Sequence, residues 1–118
     1  MILVDTSVWV AHLRHGAIGL EAWLHEGRVV CHTFIVGELA CSNLKNRSEI
    51  ISLLKTLPRP IAAQHEEVIQ FIENFGLMGK GLGYIDVHLL ASARLTGIPL
   101  WTLDKKLHAV AIKLGLAA

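Results

Sequence analysis

A short apolar run, Met1 to Val4, stops at Asp5-Thr6-Ser7, which predicts a strand running straight into a helix N-terminus. Val8, Ala11 and His12 follow at helical spacing up to Gly16, and Leu20, Trp23 and Leu24 mark a second short helix that Gly27 ends. Val29 to Cys31 reads as another strand, with Thr33 as the N-cap of a helix from Phe34 to about Leu44. Asn46 with Glu49 has the form of a capping box ahead of the apolar face Ile50, Ile51, Leu54 and Leu57, which Pro58 and Pro60 break. Ile61 and its neighbours read as a brief strand. Val68, Phe71, Ile72 and Phe75 then share one helix face, with Glu66 and Glu67 in the first turn and Gly76 at the end. The segment 76–83, GLMGKGLG, holds four glycines and reads as flexible. Ile85 to Thr96 is apolar almost all round, as a buried helix would be, and Gly97 and Pro99 close it. Pro99 to Thr102 is a strand entering the sheet, and a last amphipathic helix from Asp104 carries Leu107, Val110, Ala111 and Leu114. Short strands alternating with helices predict a three-layer α/β/α sandwich on a mainly parallel sheet.

A length of 118 residues fits one domain, residues 1–118, large enough to bury a core. The apolar share, 53%, is high for so short a soluble chain and predicts a buried interface with a second subunit or partner. No apolar run approaches the ~18 residues that a membrane span needs. The N-terminus has no basic segment ahead of its apolar run, so the expected location is cytoplasmic. Cys31 and Cys41 lie outside any metal or redox spacing and read as two reduced, half-buried thiols. The seven histidines are scattered. His12 and His15 have nothing near them to complete a zinc shell, and His88, two residues after Asp86, reads as a surface or supporting side chain. The tryptophans, each in an apolar stretch, read as core or interface.

The acids carry the chemistry. There are three aspartates in the chain, Asp5, Asp86 and Asp104. Asp5 and Asp104 each follow a short apolar strand at a helix start, and Asp86 opens the buried helix. In an open parallel sheet, ligands gather outside the carboxyl ends of the strands, where Asp5 and Asp104 would converge. Each alone reads as an N-cap worth about 1 kcal/mol. As a set they are harder to explain that way, because helix starts at Ala17, Arg47 and His65 manage without aspartate. Glu38 sits on a helix face with Phe34, Ile35 and Cys41, where a carboxylate is costly unless paired or bound to a cation. Oxygen ligands without a His or Cys cluster select Mg²⁺ or Mn²⁺ over zinc. Such ions activate water for in-line phosphodiester displacement. Neither a P-loop nor a dinucleotide-binding glycine motif is present. With these four acids set aside, eleven Lys and Arg face six acids, a basic body suited to a polyanion.

The blocks VDTSVW, GEL (37–39), GLGYIDVHLLASA (81–93) and LWTLDKKLHAVA (100–111) resemble the four acidic blocks of PIN-domain nucleases. More narrowly, they resemble the VapC-type ribonuclease toxins of bacterial VapBC toxin–antitoxin pairs, along essentially the whole chain. The resemblance implies a metal-dependent endoribonuclease, usually dimeric, that a VapB-type antitoxin silences. It makes Asp5, Glu38, Asp86 and Asp104 the catalytic, metal-binding tetrad, with Asp5 and Asp86 as direct ligands and Thr6 and Thr102 as supporting hydroxyls. Some relatives carry a further acid just after the fourth block, where this chain has Lys105, Lys106 and Leu107. Lys80, in the glycine-rich loop, is a candidate RNA contact. Two other readings compete: a non-catalytic PIN-like module that binds RNA or protein, and an Mg²⁺-dependent phosphatase. The phosphatase would favour a paired Asp-x-Asp, whereas Ser7 stands two residues after Asp5.

Overall fold

The computed structural model describes residues 1–16 and 18–118, so the helix start read at Ala17 lies outside the described residues. Strand β1 (Ile2–Val4) leads into α1 (Thr6–His15), α2 (Leu20–His25), β2 (Val29–Val30), α3 (Thr33–Ala40) and α4 (Arg47–Thr56). Helices α5 (His65–Phe75) and α6 (Tyr84–Thr96), strand β3 (Leu100–Trp101) and helix α7 (Lys105–Lys113) follow. The strands form one parallel sheet in the order β2-β1-β3, with Leu3 opposite both Val30 and Leu100. With helices around this sheet the architecture is the expected three-layer α/β/α sandwich.

All three residues of β1 are buried, because a central parallel strand is covered on both faces. The core joins Leu3, Val4, Val8, Trp9, Ile35, Leu39, Leu89, Leu90, Leu100 and Leu107. Trp23 and Trp101 are half-buried against it. The C-terminal tail extends the sheet edge: Leu100 N–H donates to Leu116 C=O (2.7 Å) and Ala118 N–H to Leu100 C=O (3.1 Å). None of the described helices is long and apolar enough to cross a membrane.

Local chemistry differs from the sequence reading at four places. The N-cap of α3 is His32, not Thr33: its ring Nδ1 accepts from Phe34 N–H at 2.9 Å, doing what a hydroxyl usually does. That helix stops at Ala40, short of Leu44, where the Arg47 guanidinium closes its end by donating to Ala40 C=O (3.1 and 2.9 Å). Asn46 caps α4 by its backbone shape, at φ 56°, without a side-chain bond. A side chain closes a helix start instead at α5, where Glu67 Oε1 accepts from Gln64 N–H (2.9 Å).

The brief strand around Ile61 does not form. Two prolines remove backbone donors there, and the remaining groups are tied singly: Cys31 N–H donates to Pro58 C=O (2.9 Å) and Ile61 N–H to Thr96 Oγ1 (2.9 Å). Strand β2 accordingly ends at Val30. Both cysteines are free, but Cys31 is buried and Cys41 exposed rather than both half-buried. Burial pushes the Cys31 thiol up to about 11, against the opposing charge of Arg59.

Candidate active site

Asp5 takes the N-cap position of α1 at the carboxyl end of β1, without a side-chain capping bond, and its backbone N–H donates to Trp101 C=O (3.0 Å), fixing it to the neighbouring strand β3. The side chain is 6% exposed, so its charge needs compensation. Hydroxyls supply part of it. Ser7 Oγ and Thr102 Oγ1 both donate to Asp5 Oδ2 at 2.7 Å. The same hydroxyls accept backbone N–H groups from the chain after β3, Ser7 from Leu103 (3.0 Å) and Thr102 from Asp104 (3.0 Å). The ends of β1 and β3 are thereby locked together around one carboxylate oxygen.

Asp104 caps α7, with Oδ1 accepting from Leu107 N–H at 2.9 Å. Asp86 lies in the first turn of α6, with Oδ2 accepting from Gly83 N–H at 2.9 Å. Burial raises the Asp86 carboxyl above the usual carboxylate range, against the Gly83 hydrogen bond, and the charges of Asp5 and Asp104 raise it further. Three acids distant in sequence therefore share one electrostatic neighbourhood. Glu38, on α3, is tied to α1 by Thr6, whose hydroxyl donates to Glu38 Oε1 at 2.7 Å. It is half-buried, and this partner is one of the two hydroxyls that the resemblance marks as supporting groups.

One regularity runs through all four acids. Each has one oxygen held by a protein donor and a second that accepts from none of the described residues. Oriented carboxylates with a free oxygen fit a hard divalent cation, which takes oxygen ligands and keeps several waters. No three His, Cys, Asp or Glu side chains among the described residues sit closely enough to wrap a metal unaided. A cation here would thus complete its shell with water or substrate oxygens.

Ser7 escaped the sequence reading, although its place two residues after Asp5 was the available signal. His88 is not a surface residue: it is 5% exposed, with its ring against Phe34 (4.8 Å) and Tyr84 (4.6 Å). Lys80 is exposed and lines a cavity between its own loop and α7, which none of the four acids lines.

A model of the PIN domain matches residues 2–113. The chain belongs to the PIN domain family. Within it, this PIN domain is of the VapC type: it is 40% identical over 118 residues to Ribonuclease VapC32 of Mycobacterium tuberculosis, in strains CDC 1551 / Oshkosh and H37Rv alike. That alignment covers 99% of this chain and 95% of the relative. Among solved structures it is similar to the crystal structure of PAE2754 from Pyrobaculum aerophilum, with a TM-score of 0.59, 17% identity, and coverage of 97% of this chain and 88% of the other. The latter likeness concerns the fold alone.

Proposed function

We propose that this PIN domain is an endoribonuclease toxin that hydrolyses RNA phosphodiester bonds with Mg²⁺ or Mn²⁺ held by Asp5, Asp86, Glu38 and Asp104. The carrying observation is the free carboxylate oxygen on each of the four acids, three of which share one electrostatic neighbourhood. Asp5 and Asp86 are the direct ligands; Glu38 and Asp104 hold water bound to the cation. When bound, the cation supplies Lewis acidity and an activated water. Thr102 and Ser7 aim the Asp5 carboxylate, and Thr6 aims Glu38. A divalent charge beside the Asp86 carboxyl would favour its ionised form, opposing the effect of burial. A VapB-type antitoxin as partner and a homodimer as resting form belong to the same reading. Exposed apolar side chains, among them Leu53, Ile69 and Leu95, supply surface for both.

Incubating the protein with single-stranded RNA tests the activity. Cleavage is expected with Mg²⁺ or Mn²⁺, not with EDTA, and Asp5→Asn or Asp86→Asn should lower it by orders of magnitude at saturating metal. Cleavage by either variant within about threefold of the parent would overturn the assignment, since a lost ligand should appear directly in the rate.

A further inference from the structure

Two elements meet in a seam that the four acids do not use. The loop 76–83 runs beside α7, and together they line a cavity of about 370 Å³ whose walls include Phe75, Leu77, Val110 and Leu114. Three lysines stand around it: Lys80 from the loop, Lys106 and Lys113 from the helix. No acid lines the cavity, and none of the three lysines has an ion-pair partner among the described residues. Unpaired like charges gathered at one concavity raise its potential and attract an anion.

The lysines are also placed, not merely present. Gly81, at φ +76°, lies so close to the Lys106 side chain that a Cβ would meet its Cδ at 2.9 Å and its Nζ at 3.1 Å. Lys106 therefore lies against the loop backbone at Gly81, a position whose positive φ favours glycine. Lys106 and Lys113 are seven residues apart on one helix face, roughly 10 Å along the axis, a spacing for successive charges rather than one. The seam adjoins the acids along the chain: Lys106 is two residues after Asp104, and the loop ends at Gly83, whose N–H holds Asp86.

We infer that the seam between loop 76–83 and α7 is a track for the RNA backbone, in which Lys80, Lys106 and Lys113 neutralise phosphates beyond the scissile one. The apolar wall accommodates sugar faces between them. The track rests on the ribonuclease reading for its substrate, but not on the chemistry of the acids. Its consequence is that affinity for a long strand and turnover of a minimal one separate.

The test uses the parent, the triple variant Lys80→Gln/Lys106→Gln/Lys113→Gln, and Lys55→Gln in α4 as control. Binding of a labelled single-stranded oligoribonucleotide is measured in EDTA over a range of salt. The slope of log K against log[salt] should fall by about 2 in the triple variant, from about 0.7 per lost phosphate contact, and stay unchanged in the control. With metal, kcat/KM for the long RNA should drop about tenfold or more through KM, while dinucleotide cleavage stays at the parent rate. An unchanged slope, an equal loss on dinucleotide and long RNA, or a parent that does not bind RNA in EDTA overturns the track. Lysine-dependent binding without metal-dependent cleavage sinks the nuclease reading instead and leaves the track standing.

Discussion

His32 serves as a cap with one ring nitrogen and leaves the other without a partner. Nδ1 accepts from Phe34 N–H, so the neutral ring carries its proton on Nε2, which is buried with no acceptor among the described residues. Burial lowers its pKa to about 4, and the charges of His88 from α6 and of Arg59 add to the effect. Between about 4 and the ordinary 6.5 the unfolded chain binds this proton and the folded chain does not. Stability therefore rises with pH through that window and is lost as pH falls through it, by at most roughly 3 kcal/mol from this residue. His32→Asn keeps an acceptor for Phe34 N–H without a titrating ring. Denaturant melts of parent and variant across that window should show a flatter pH dependence for the variant. Coincident profiles would mean that His32 is not held neutral by the fold. A histidine cap is hard to read in a sequence, because histidine becomes a good acceptor only where burial keeps it unprotonated.

Helix α6 combines two roles at different ends. Residues 87–93 are buried throughout, whereas Asp86 in the first turn sits at the acidic cluster. Burial and the charges of Asp5 and Asp104 work against ionisation of this carboxyl, and the Gly83 hydrogen bond works for it. Asp86→Asn keeps an oxygen for Gly83 N–H and removes the charge. It should raise the metal-free stability by roughly 1 kcal/mol while abolishing activity, a trade of stability against function. Thermal melts in EDTA and in Mg²⁺ check it: the parent should gain stability from the metal and the variant should gain little. A variant that melts below the parent in EDTA would show that the carboxylate contributes net stability as a cap. The start of α6 was legible from the apolar run. The end of α3 was not, because it depends on Arg47, seven residues beyond Ala40, reaching back to that carbonyl.

The apolar surplus of the chain is not fully absorbed by its own core. Leu53, Ile61, Ile69, Leu95 and Ile112 are each at least 40% exposed, a pattern that suits a second subunit or partner. A homodimer is the expected resting state. Light scattering at micromolar concentration should give twice the 13.0 kDa chain mass, and a constant 13.0 kDa across that range would refute it. Eleven Lys and Arg give the molecule its basic body, and three of the lysines line the cavity beside α7. That concentration of charge was invisible along the chain, where Lys80 stands 26 residues before Lys106.

The alternation of strand and helix, and the positions of Asp5 and Asp104 at helix starts, were legible along the chain. Hydrophobic periodicity and helix-start chemistry are local, and local preferences agreed there with the final fold. The resemblance along the whole chain also marked Asp5, Glu38, Asp86 and Asp104 as a set. The contacts that hold those acids come from packing between distant segments. Thr102 reaches Asp5 across 97 positions, and Thr6 reaches Glu38 across 32. The same packing buried His88, exposed Cys41, and set Lys106 against Gly81. These outcomes depend on which surfaces meet when β3 pairs with β1 and α7 folds back beside the loop. Burial and long-range hydrogen bonding are properties of that packing, and no window of neighbouring residues contains them.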